Sequence, residues 1–187
     1  MEKLFIYDLE TTGVKFWKNG IHQIAGMVVI DGEIKEKFNF KVQPFKDAII
    51  EDDALAIGNV TREQIANYET FSQTYQKLIV LLAKYVDKFN KGDKFHLVGY
   101  NNSPFDNQFL RAFFTQNNDN YFGSWFWADT IDTMVLASNK LINERSKLAN
   151  FQLKTVARHM GIEVDETKIH DAEYDINLTY ELFKRVR

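Results

Sequence analysis

The chain opens on an unbroken apolar run, Leu4-Phe5-Ile6-Tyr7, which ends in two acids and a glycine in the stretch LFIYDLETTG. Such a run, bounded by Gly13, predicts a strand over residues 3–9. IHQIAGMVVI, residues 21–30, predicts a second strand, and Asp31-Gly32 after it is a hairpin signal. Phe38, Phe40 and Val42 then alternate with Asn39 and Lys41, as one face of a third strand would. The first third of the chain therefore reads as an antiparallel meander.

Past this point the period lengthens. Thr61 and Gln64 stand at capping-box spacing before a short helix. Phe71, Tyr75, Leu78, Leu82, Val86 and Phe89 recur at three- and four-residue steps and predict one long amphipathic helix. KFHLVGY reads as a fourth strand. Ser103 as N-cap and Pro104 at the first helical position open the next helix. SWFWADT reads as a fifth strand. Helices follow over about 133–142 and 153–160, the latter stopped by Gly161, and a last one runs from near Ala172 to the end. Three strands followed by alternating helix and strand predict a mixed α/β sheet with helices on its faces.

Composition narrows this only a little. The 187 residues fit a single domain over residues 1–187, and a 45% hydrophobic content with 16 Phe supplies a core. No apolar run approaches a membrane span and the N-terminus is no signal peptide, so no membrane is expected. With no Cys, disulfides and thiolate metal sites are excluded, and a cytoplasmic location is compatible. The formal net charge of -3 argues against nonspecific binding along a polyanion but not against gripping its end.

Three stretches carry candidate chemistry. Asp8 and Glu10 lie two apart on a strand and so share the face of Leu4 and Ile6. Two adjacent anions are costly unless a cation joins them or water solvates the strand end. In GYNNSPFD, Asp106 falls in a helical first turn, where the helix dipole favours an acid. It shares a stripe with Leu110 and Phe113, at the core edge beyond a strand's C-terminal end. In HDAEYD, Asp175 begins the final helix and His170 stands on the loop before it. His22, His96 and His159 read as structural or surface residues, and Asp132, Asp165, Asp171 and Glu173 as caps or solvated charges.

Taken together and in order, DLETTG, NNSPFD and HDAEYD resemble the three motifs of the DEDDh 3′–5′ exonucleases, the group of the DnaQ-like proofreading epsilon subunit and RNase T-type relatives. The resemblance spans nearly the whole chain and implies a ribonuclease-H-like fold, a mixed five-stranded sheet flanked by helices. It further implies that Asp8, Glu10, Asp106 and Asp175 hold two divalent metal ions, Mg²⁺ or Mn²⁺, with His170 as general base. Hydrolysis from the 3′ end would release nucleoside 5′-monophosphates, in DNA proofreading or repair. Thr11, Thr12 and Gly13 would line the pocket for the last nucleotide, although Gly13 also suits an ordinary turn. The implied partners are the 3′ end of single-stranded DNA or RNA, and a DNA polymerase. The alternatives are an RNA-trimming 3′–5′ exoribonuclease and a non-catalytic interaction module on the same fold; a module kept only for binding has no need of all four acids. One departure from the family is Phe16-Trp17, where a more polar loop is expected. Buried packing is the favoured reading of that pair, with base stacking as the alternative.

Overall fold

A computed structural model describes residues 1–168 and 172–187 of the chain. It contains a five-stranded mixed sheet in the order β3-β2-β1-β4-β5. β1 (Lys3–Thr11) pairs antiparallel with β2 (Ile21–Ile30), which pairs antiparallel with β3 (Glu33–Lys41). On its other side β1 runs parallel to β4 (Phe95–Gly99), itself parallel to β5 (Phe126–Asp132). The β2–β3 hairpin turns at Asp31 (φ 49°) and Gly32 (φ 83°), the doubly left-handed turn that matches strand twist.

The unbroken apolar run of β1 follows from its central place, because helices cover both faces of the sheet. Phe5, Tyr7 and Leu9 pack with Tyr75, Leu78, Leu110 and Phe113. These belong to α3 (Phe71–Ala83) and α4 (Asp106–Gln116). Leu4 and Ile6 pack with Ile176, Tyr180 and Phe183 of α8 (Ala172–Val186) on the opposite face. Two short helices, α1 (Asp52–Ile57) and α2 (Arg62–Ala66), precede α3, and α2 starts on the capping box expected at Thr61 and Gln64. Between α4 and β5 lies the single turn α5 (Phe122–Trp125), and α6 (Thr133–Lys140) and α7 (Leu153–His159) follow β5.

Three expectations need correction. The helix over the Phe71 stripe stops at Ala83, and Phe89 is 85% exposed. An Asp87 side chain that accepts the Phe89 N–H (3.0 Å) folds this segment into a turn instead. The helix expected from Ser103-Pro104 begins only at Asp106, for reasons that belong to the site. The fifth strand starts at Phe126 and extends to Asp132, because Trp125 is buried as the last residue of α5.

Candidate active site

The parallel β1–β4 ladder ends at Ile6–Val98, and β1 continues alone on that side for several residues. Asp106 occupies the fork. Its Oδ1 accepts the Leu9 N–H at 3.2 Å, supplying the partner that β4 no longer offers. The loop ahead of it is pinned by Asp132, whose Oδ1 accepts from the N–H groups of Asn101 (2.9 Å) and Met134 (2.9 Å). Oδ2 of Asp132 accepts the Ser103 N–H at 3.4 Å. With the Ser103 amide thus engaged and Asp106 tied to β1, residues 101–105 stay in turns and the helix starts late. Asp132 was expected as a cap; it caps α6 and also anchors the loop that carries Asp106.

Asp8 and Glu10 project from the same face as Leu4 and Ile6, toward α8, and Asp175 in the first turn of α8 faces them. The electrostatics show how near the four acids stand. Burial, then Asp106, Glu10 and Asp175, push the Asp8 carboxyl well above the usual carboxylate range. Burial and Asp175 raise Glu10 to about 7, with Lys41 pulling the other way. Burial also raises Asp106 to about 7 against the stabilising hydrogen bond from Leu9. The structure thus brings Asp8, Glu10, Asp106 and Asp175 into one field. Among the described residues, however, no three acids or histidines are grouped tightly enough to form a ready metal cage. Repulsion between like charges resists such closure, and Asp106 is already held by the β1 backbone. His170 and Asp171 lie outside the described residues.

Thr11, Thr12 and Gly13 form the turn directly after the acids. The Thr11 hydroxyl donates to the Gly13 carbonyl (2.8 Å). The Thr12 hydroxyl donates to the Ile49 carbonyl (2.8 Å) and accepts the Gly20 N–H (2.9 Å). Buried Asn19 completes the knot, donating to the Ile49 carbonyl (2.9 Å) and Glu51 Oε1 (3.1 Å) while accepting the Lys15 N–H (2.8 Å). The turn is therefore rigid, and the two threonine side chains serve its geometry.

Several neighbours were not picked out from the sequence. Lys41 stands two strands across from Glu10, in the register Glu10–Gln23–Lys41, so it shares the face of the acids. A plain count outward from the Asp31-Gly32 turn sets Phe40 opposite Gln23; an irregularity between Val28 and Val29 brings Lys41 there instead, so the sequence carries no local signal for it. His22 is fully buried with both ring nitrogens lacking a hydrogen-bond partner. Burial and Lys41 lower its pKa to about 4. It stands near Glu10: a Cβ on Gly58 would lie 3.6 Å from His22 Nε2 and 3.7 Å from Glu10 Oε2. Tyr7, whose hydroxyl donates to Asn107, is kept protonated by burial and by Asp106 and Asp8. A cleft of about 480 Å³ beside Asp175 is lined by Tyr100, Asn101, Met134 and Phe151. Another of about 570 Å³ opens by Lys41, Gly58, Tyr68 and Lys168. Of the two loop aromatics expected to be buried, Phe16 is half-buried, but Trp17 is 62% exposed.

Comparison with known proteins agrees with this fold and places the chain in a family. The family model RNase T, described as an exonuclease, matches residues 5–183. A PolC-type DNA polymerase III of Mycoplasmopsis pulmonis is 25% identical over 182 residues, 97% of this chain and 11% of the polymerase. Exonuclease I of E. coli in complex with a dT13 oligonucleotide superposes with a TM-score of 0.77 at 22% identity, over 98% of this chain and 40% of that one. A zinc-bound form of the E. coli exonuclease I–single-stranded DNA complex gives a TM-score of 0.77 at 21% identity, over 100% of this chain and 40% of that one. The chain thus spans only a minor part of these relatives. Among the described residues no helix is long and apolar enough to cross a membrane.

Proposed function

Because the chain belongs to the exonuclease family, we propose that residues 1–187 are one exonuclease domain that hydrolyses nucleic acid from its 3′ end to nucleoside 5′-monophosphates. The observation that carries this reading is the field of four carboxylates at the fork beyond β1 and β4. Asp8, Glu10 and Asp106 hold their protons tightly because burial and neighbouring acids penalise the charged forms. An all-oxygen set of this kind fits hard divalent ions, Mg²⁺ or Mn²⁺, better than softer metals. Asp8, Glu10, Asp106 and Asp175 would hold a pair of them. Bound there, the ions would supply Lewis-acid stabilisation of the phosphate and a water of lowered pKa.

The chain's own groups do the rest. Asp106, fixed by the Leu9 N–H, keeps its carboxylate at the fork. Lys41 favours the ionised form of Glu10 and so prepares it for a cation. His170, which the third motif places ahead of Asp175, would take the proton of the attacking water, a task suited to a group that titrates near neutrality. The single-stranded DNA in the exonuclease I complexes supports a single strand as substrate. The PolC-type relative supports a DNA polymerase as the partner such a domain serves.

Incubating the protein and Mn²⁺ with matched 5′-labelled DNA and RNA single strands tests the reading. Stepwise shortening with release of mononucleotides is expected, and Asp8→Ala or Asp175→Ala should remove it by at least about a hundredfold, as loss of a group that stabilises transition-state charge does. Shortening that persists in both variants, or none in the wild type with either polymer, would reject it.

A further inference from the structure

The turn that follows the catalytic stretch carries an arrangement that the acids do not account for. Its sequence is Val14-Lys15-Phe16-Trp17-Lys18. Val14 is 69% and Trp17 62% exposed, and both lysines face solvent. No ion pair among the described residues involves Lys15 or Lys18, in a chain whose net charge is -3.

The exposure is not slack. The Lys18 and Asn19 N–H groups donate to the Lys15 carbonyl at 2.8 and 2.7 Å, and the Ile49 N–H donates to the Lys18 carbonyl at 2.7 Å. Phe16 meets the Trp17 ring edge-on, with centroids 5.0 Å apart and planes at 87°. Phe16 in turn packs on buried Phe109, with centroids 6.5 Å apart. Phe109 lies one turn along α4 from Asp106. The indole is therefore braced through Phe16 against Phe109 of the helix that carries Asp106, with Lys15 and Lys18 flanking it in sequence.

We propose that this turn is a stacking platform for single-stranded nucleic acid: Trp17 receives a base of the incoming strand, and Lys15 and Lys18 meet its phosphates. The inference rests on the exonuclease reading above and assigns it a strand contact outside the acids. A fixed aromatic ring accepts any base on its face, and pre-ordering removes part of the entropy that stacking would otherwise cost. The unpaired lysines add the charge that a phosphodiester backbone requires and that the protein as a whole lacks. Phe89 is more exposed but does not share this setting. It precedes the start of β4, at the opposite end of the sheet, and Lys88 already lies over its ring at 5.3 Å.

The test uses the whole chain and 5′-fluorescein-labelled single strands of about 12 nucleotides, as DNA and as RNA, within the range one such groove covers. Binding is read by anisotropy in EDTA, and KM from degradation in Mn²⁺. Trp17→Ala should weaken both by about tenfold, Trp17→Phe should recover most of the loss, and Phe89→Ser should change neither. Lys15→Gln with Lys18→Gln should flatten the dependence of log K on log salt by about 1.4, at about 0.7 per single-strand phosphate. A Trp17→Ala protein that is folded by circular dichroism and stays within twofold of wild type in both readings would overturn the platform. If the wild type degrades the strands in that case, only the platform falls; if it neither binds nor degrades them, the exonuclease reading falls with it.

Discussion

Gly13 shows how little freedom the residues beside the acids have. Its φ is +155°, and a Cβ there would lie 2.3 Å from Asn19 Nδ2. Asn19 would have to abandon bonds to the Ile49 carbonyl and Glu51 that hold the whole turn. Gly13→Ala should therefore cost about 2–3 kcal/mol, combining a strained backbone with buried groups left unpaired. Asn19→Ala should fall in the same direction. Urea denaturation at neutral pH reads both, and a midpoint equal to that of the wild type in either would contradict the knot described above. In the sequence Gly13 reads equally well as an ordinary turn glycine, because its constraint comes from a side chain six residues away. The acids are more legible, since a two-residue spacing on a strand already fixes a common face. Lys41 and His22 are less so. Their closeness to Glu10 depends on cross-strand register and on irregularities between Glu10 and Thr11 and between Val28 and Val29, none of which a local pattern records.

At the scale of elements, the β-strands and the hairpin were readable because alternation, apolar runs and the Asp31-Gly32 turn are local signals. α1 was missed: at six residues it is too short to show a period. The start of α4 was misplaced because Ser103 and Pro104 look like a cap and a first helical residue. The loop instead answers to Asp132, some thirty residues on in the chain. That carboxylate joins the end of β5, the start of α6 and the Asp106 loop. Asp132→Ala should destabilise by about 1–2 kcal/mol, the cost of losing the α6 cap and leaving part-buried N–H donors without their acceptor. Asp132→Asn keeps one carbonyl oxygen for Asn101 and Met134 and should lose less than half as much. Thermal melts rank the two. Equal losses would mean that the charge, rather than the acceptor geometry, holds the loop.

For the molecule as a whole, the carboxylate field ties stability to pH and, on the function proposed above, to metal. Glu10 and Asp106 ionise near 7 when folded and near 4 when unfolded. Between those values the folded state binds more protons, so their contribution is most favourable at low pH and is lost as pH rises through about 7. His22 acts in the opposite sense, and only lower down. Its pKa falls from 6.5 to about 4 on folding, so it removes stability as pH drops below 6.5. Between about pH 6.5 and 8 the carboxyls therefore dominate, and the melting temperature of the EDTA-treated protein should fall with rising pH. Mn²⁺ at one fixed concentration, about 100 times its dissociation constant at pH 8, should return about 2.7 kcal/mol there and less at pH 6.5, where protons compete for the acids. A flat metal-free profile, or a Mn²⁺ effect that Asp8→Ala leaves intact, would show that the four acids do not act as one unit.

The place of β1 between two dissimilar layers has a further consequence. One layer, rich in phenylalanine, receives Phe5, Tyr7 and Leu9; the other receives Leu4 and Ile6 and leaves room for Asp8 and Glu10. Insertion or deletion of a single residue among positions 4–7 would exchange the two sets, driving both acids into hydrocarbon and turning Leu9 toward α8. Descendants of this chain can therefore change the identity of those apolar residues far more readily than their number.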